Sequence, residues 1–142
     1  VAPNIRVFKQ DSTPIVLHEV KNSYIVLLFW APDCGHCKKS MPLIREFYDK
    51  YSTKGVEIVA VCTKVGPDEK TCWDSVKEMN MEKWINASDP SHSSRFKAIY
   101  DLKTTPQIYI LDKNKRILTK KIGAEQLSVV MDKLLSINEN EK

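Results

Sequence analysis

Cys34-Gly35-His36-Cys37 places two thiols with two residues between them. Such a pair can close into a disulfide and reopen, carrying two electrons with no cofactor. It can also supply half of a zinc site. The chain has two further cysteines, Cys62 and Cys72. Zinc ribbons hold their cysteines on tight hairpin knuckles, and Cys62 and Cys72 are too far apart to form a second one. Dithiol chemistry is therefore expected, with no metal and no organic cofactor.

The elements around the pair agree with that chemistry. Ile25-Val26-Leu27-Leu28-Phe29-Trp30 is almost continuously apolar and reads as a central strand covered on both faces. Ala31-Pro32-Asp33 breaks it, and a helix should start near Cys34. Met41, Ile44, Phe47, Tyr48 and Tyr51 then recur at helical spacing, with Pro42 expected to kink the helix. The first N–H groups of a helix lack internal partners, and its dipole is positive there. A thiol in that setting ionises at about pH 3.5–7.5 rather than near 8.5. Cys34 is thus the expected nucleophile, and Cys37, one turn deeper, the resolving thiol. The His36 ring can carry positive charge, which should lower the Cys34 pKa and make the disulfide more oxidising. Lys38 and Lys39 add weaker, solvated charge. Asp33 should act the other way unless it points to water or caps the helix. Trp30 is expected to pack beneath the site.

The rest of the 142-residue chain reads as one α/β domain, long enough to bury a core without disulfide staples. Ile5 to Phe8 is a short strand, and Ile15 to Val20 a strand or a single helical turn. Val56 to Val61 is a second buried strand, and Asp68 to Met79 a helix. Asn86 to Ser94, rich in Ser, Asp and Pro, reads as a loop, followed by a short helix at Ser94 to Tyr100. Gln107 to Leu111 and Arg116 to Ile122 form a hairpin around Asp112-Lys113-Asn114-Lys115. Ala124 to Ile137 is an amphipathic helix, and Asn138 to Lys142 a loose end. Strands alternating with helices predict a mixed sheet, partly parallel, with helices on both faces.

The net charge of +4 comes from basic residues spread along the chain, so no nucleic-acid interface is expected. The longest apolar run, Ile25 to Ala31, is far below the roughly 18 residues of a membrane span. The chain starts at Val1 without an initiator Met or signal peptide, which reads as a processed or excised domain.

Phe29-Trp30-Ala31-Pro32-Asp33-Cys34-Gly35-His36-Cys37-Lys38-Lys39, with Met41-Pro42 following, resembles the thioredoxin superfamily, most of all the TlpA/ResA-like bacterial thiol–disulfide oxidoreductases. Ala2-Pro3-Asn4-Ile5, Thr105-Pro106 before a strand, the Asp112 hairpin, and Gly123 with the last helix extend the likeness over nearly the whole chain. The resemblance implies a thioredoxin fold and a cis-proline at Pro106 packed against the cysteines. It also implies a substrate segment held at the Thr105 backbone, a disulfide-containing protein substrate and a redox partner protein. It further implies an extracytoplasmic, periplasmic location; a monomer, with room for a membrane tether outside the given residues, is expected. Two positions depart from the pattern. Leu28 stands where thioredoxins carry a buried Asp, and Ser40 where ResA-like proteins carry a Glu. The base for Cys37 is left open among water, His36 and Asp33. The CGHC motif itself resembles that of protein disulfide isomerases.

Two other functions compete: a binding module that kept the fold, and a thioredoxin-fold peroxidase. Retention of both cysteines and Pro106 argues against the first. The second needs a Thr about three residues before its cysteine, which Ala31-Pro32-Asp33 does not offer. Cys62 and Cys72 read as inert buried thiols, a structural disulfide or an electron relay. Trp73 and Trp84 could face a partner or pack inward. His18 and His92 are isolated and receive no role. Asn86-Ala87-Ser88 matches a glycosylation sequon that carries little meaning in a bacterial protein.

Overall fold

The computed structural model describes residues 1–140. Seven strands form one sheet: β1 (Arg6–Phe8), β2 (Pro14–Val16), β3 (Tyr24–Trp30), β4 (Val56–Cys62), β5 (Ile85–Ser88), β6 (Gln107–Asp112) and β7 (Ile117–Lys120). Their order across the sheet is β2-β1-β5-β4-β3-β6-β7. β3 runs parallel to β4, and β4 to β5, whereas β6 lies antiparallel to β3. The sheet is therefore mixed, as the alternation of strands and helices implies.

β3 is buried at every residue, which explains why its sequence is apolar without a break. Its alternate side chains serve two cores. Tyr24, Val26, Leu28 and Trp30 face a core built with α1 (Gly35–Tyr51), α2 (Lys70–Glu78) and α4 (Leu127–Asn140). Ile25, Leu27 and Phe29 face a second core with β1, Leu17 and α3 (Phe96–Ile99), whose Phe96 stacks on Phe29. α1 inserts Met41, Ile44, Phe47 and Tyr51 into the first core, at about 1.5–3 kcal/mol for each large apolar side chain buried. Pro42 lies inside this helix, on its exposed side. The helix ends through a single 3₁₀ turn at Gly55, whose φ of +85° a side chain would strain; its Cβ would meet Ser23 Oγ at 2.9 Å.

Several boundaries differ from the sequence reading. Ile15 to Val20 is both alternatives in succession, β2 and then a 3₁₀ turn over Leu17–Glu19. Asn86 to Ser88, expected within a loop, belongs to β5. Its polar side chains pack inward with partners, although Asn86 Oδ1 is left without one. Asn86 Nδ2 donates to the carbonyls of Met81 and Trp84, and Ser88 Oγ donates to Glu69 Oε1 at 2.7 Å. The sequon thus lies in a paired strand rather than an open loop. β7 is shorter than expected, and a 3₁₀ turn over Ala124–Gln126 precedes α4. α4 is helical to Asn140, and the rest of the expected loose end, Glu141 and Lys142, lies outside the described residues. Among the described residues no helix is long and apolar enough to cross a membrane.

Candidate active site

The site forms where β3 ends. Ala31 to Asp33 turn the chain, and Cys34 becomes the N-cap of α1 with extended φ and ψ of −97° and 107°. Helices usually cap with a side-chain oxygen from Ser, Thr, Asp or Asn. Here sulfur takes that place: Cys34 Sγ accepts from the Cys37 N–H at 3.0 Å. Cys34 Sγ also lies 3.3 Å from the Thr105 carbonyl oxygen, to which its S–H can donate. Thr105 is separated from Cys34 by 71 residues in sequence, so the fold itself brings the two segments together. The Thr105–Pro106 peptide bond is cis.

The two thiols sit in different surroundings. Cys34 is half-buried, whereas Cys37 is 0% exposed. Burial raises the Cys34 pKa. Hydrogen bonding from the Cys37 and Thr105 side chains and from the backbone N–H groups of Cys37 and His36 outweighs it, so the thiol falls below its ordinary value. The Cys37 thiol is pushed up to about 12, first by burial and then by its hydrogen bond and charge interaction with Cys34. One sulfur is thus set to ionise and its neighbour to hold its proton, which is the asymmetry a nucleophile and a resolving thiol require.

His36 is exposed, and it reaches Cys34 through its backbone N–H. Its carbonyl accepts from the Ser40 hydroxyl at 2.9 Å. Asp33 points to water with its side chain 69% exposed, and pairs with Lys64 Nζ at 2.7 Å. Lys64 holds the Asp33 carboxyl below its usual range, so this charge next to Cys34 is matched by a cation. Sequence reasoning missed Lys64, and no spacing could have revealed it, because the pair forms only when the loop after β4 folds against the loop after β3. Trp30 packs in the core that contains Cys37, with its indole N–H buried and without a hydrogen-bond partner. Leu28 and Ser40 supply no acid: Leu28 is core, and the Ser40 hydroxyl is spent on His36.

Cys62 and Cys72 form a disulfide with their Cα atoms 6.0 Å apart, both buried. Trp84 is buried, and Trp73 is half-buried with its indole N–H donating to Glu69 Oε1 at 2.6 Å. His18 Nε2 contacts the Ala2 carbonyl at 2.7 Å, and His92 Nε2 accepts from the Lys97 N–H at 3.3 Å.

The Redoxin family model matches residues 1–134. The chain belongs to the Redoxin family. Within it the chain is similar to the thiol-disulfide oxidoreductase ResA of Bacillus cereus, with 31% identity over 136 residues, covering 94% of this chain and 76% of that protein. The ResA of Bacillus anthracis matches over 60 residues at 42% identity, which is 42% of this chain and 35% of that protein. A solved domain of a possible thiol-disulfide isomerase from Cytophaga hutchinsonii shares the fold with a TM-score of 0.86 and 29% identity, over 98% of this chain and 93% of that one. The thioredoxin domain of a thiol-disulfide oxidoreductase from Bacteroides vulgatus superposes with a TM-score of 0.85 at 22% identity, over 94% of each chain. This Redoxin chain has the thioredoxin fold and is a ResA-like thiol–disulfide oxidoreductase that acts on protein disulfides.

Proposed function

We propose that Cys34 is the attacking thiol of this Redoxin protein and Cys37 the resolving thiol, in reduction or exchange of disulfides in an extended protein segment laid against Thr105-Pro106. The observation that supports this most is the half-buried Cys34 sulfur at the helix cap, 3.3 Å from the Thr105 carbonyl, with the fully buried Cys37 one turn behind it; the lowered Cys34 thiol and raised Cys37 thiol agree with that placement.

The Cys34 thiolate attacks one sulfur of the substrate disulfide. That sulfur bonds to Cys34 Sγ, the substrate S–S bond breaks, and the other substrate sulfur leaves as a thiolate. Forming the mixed disulfide removes the anionic sulfur that helps hold the Cys37 proton, so Cys37 becomes easier to ionise at the moment it is needed. The Cys37 thiolate then attacks Cys34 Sγ, breaking the mixed disulfide and releasing the second substrate thiolate. The substrate gains two electrons, the Cys34–Cys37 disulfide holds the oxidising equivalent, and the protons given up by the two cysteines end on the substrate thiols through solvent. A dithiol redox partner protein restores the reduced pair. Trp30 supports the site from the core, and His36 and Asp33 tune it from the solvent side.

An extracytoplasmic bacterial location is part of the same proposal. The buried Cys62–Cys72 disulfide supports it, since structural disulfides persist in oxidising compartments and are rare where thiols are kept reduced. Insulin reduction by the whole chain tests the roles of the two cysteines. Cys34→Ser should lower the rate by at least about 10³-fold, and unchanged turnover would refute the assignment.

A further inference from the structure

Beside the Thr105 carbonyl lies a cleft of about 200 Å³, lined by Thr63, Lys97, Leu102, Lys103, Thr104 and Thr105. Its Thr63 wall is fixed to the active-site strand, because the Thr63 N–H donates to the Trp30 carbonyl at 2.8 Å. Its opposite wall, Leu102 to Thr105, leads directly into the cis peptide next to Cys34. A segment held against Thr105 with its sulfur at Cys34 therefore has a neighbouring side chain within reach of this cleft.

The charges around the cleft are unequal. Lys97 and Lys103 line it, Lys64 follows Thr63 in the chain, and Lys38 lies in the first turn of α1. The acids next to these residues are Asp101, which precedes Leu102, and Asp33, the partner of Lys64. Asp33 pairs with Lys64 at 2.7 Å, and Asp101 with Lys103 at 3.9 Å. Lys97 makes no ion pair among the described residues and is exposed. Leu102 gives the lining an apolar part, suited to the methylenes of a side chain whose end is charged. Resting on the roles proposed for Cys34 and Thr105, we infer that Lys97 and Lys103 select protein disulfides whose cysteine is flanked, within two residues, by a glutamate or aspartate.

Charge complementarity at a partly exposed rim acts mainly on encounter and choice of partner. Three disulfide-bonded peptides, identical except for Glu, Gln or Lys beside the cysteine, measure it directly. Second-order reduction rates by the native chain should fall in the order Glu, Gln, Lys, with Glu ahead of Gln by about three- to fivefold, the scale of an exposed ion pair. The Glu preference should shrink as salt rises from low to molar concentration. In the Lys97→Gln, Lys103→Gln double variant the Glu-to-Gln ratio should fall to about one. In the Lys97→Glu, Lys103→Glu variant the order should invert. Equal rates for Glu and Gln with the native chain, or a preference that survives both double variants, would overturn the inference while leaving the roles of Cys34 and Cys37 standing. Failure to reduce any of the three peptides would instead remove the roles themselves, and the selectivity with them.

Discussion

Two cysteine pairs lie at the same end of two neighbouring parallel strands, and they differ in nearly everything else. Trp30 and Cys62 are register partners at the ends of β3 and β4. Beyond Trp30 the chain turns and caps α1 with Cys34, so both sulfurs of the first pair belong to one helical turn, one half-buried and one buried. Cys62 stays inside β4 and reaches Cys72 on α2, so its disulfide is enclosed in the core and ties a strand to the helix that follows. The sulfur chemistry is the same in both. Access to solvent and unpaired helix N–H groups separate a dithiol able to work from a bridge that holds the fold.

The largest expected effect breaks the comparison on the working side. Cys37→Ser should leave Cys34 able to attack but unable to release its product, so a mixed disulfide with insulin should accumulate and be visible by non-reducing electrophoresis. Cys34→Ser should accumulate none. A covalent adduct on Cys37 in the Cys34 variant would reverse the two roles.

The next effect falls on the bridging side. Replacing both Cys62 and Cys72 with Ala removes a cross-link closing a loop of sequence separation 10. By the loop-entropy relation this should cost about 3 kcal/mol of stability in urea unfolding, while insulin reduction below the melting range persists. Loss of turnover in a variant that remains folded would make the second pair part of the catalytic route, which is the electron relay the sequence left open.

A pH series sharpens the contrast within the first pair. In the folded chain the Cys34 pKa is depressed, so its ionisation favours the folded state above the ordinary thiol pKa, and that contribution fades as pH falls through the lowered value. The Cys37 pKa is raised, so its contribution is fully present below the ordinary thiol value and is lost as pH rises through about 12. Between pH 9 and 12 the reduced Cys34→Ala variant should therefore lose stability relative to the reduced Cys34→Ala, Cys37→Ala variant in urea titrations. Parallel curves would contradict the buried, protonated Cys37.

The smallest effect concerns Lys64. Lys64→Gln leaves the Asp33 carboxylate unmatched beside Cys34, and should slow iodoacetamide alkylation of Cys34 at pH 6 by up to about threefold. In an Asp33→Asn background the same substitution should have no such effect. A slowing that persists in that background would mean Lys64 acts on Cys34 by another route.

Much of this was legible from residue order because it is local. An unbroken apolar run, a Pro-containing break and helical spacing after Cys34 are enough to place β3, the cap and α1, whereas the facing of Thr105-Pro106 onto the cysteines came from the family resemblance. The parts that escaped are those where partners come from elsewhere. Asn86 and Ser88 look like loop residues until Glu69 and the carbonyls of Met81 and Trp84 are set beside them. The Asp33–Lys64 pair depends on two loops meeting, and the choice between free thiols and a disulfide at Cys62 and Cys72 depends on a 6.0 Å Cα separation that no spacing encodes.

The most direct test of the central asymmetry is residue-resolved alkylation of the reduced native chain by iodoacetamide across pH 4 to 10, read by mass spectrometry. Cys34 should be labelled with a midpoint below the ordinary thiol value of about 8.5, while Cys37 stays unlabelled throughout. Labelling of Cys37 first, or a Cys34 midpoint at or above that value, would contradict the account.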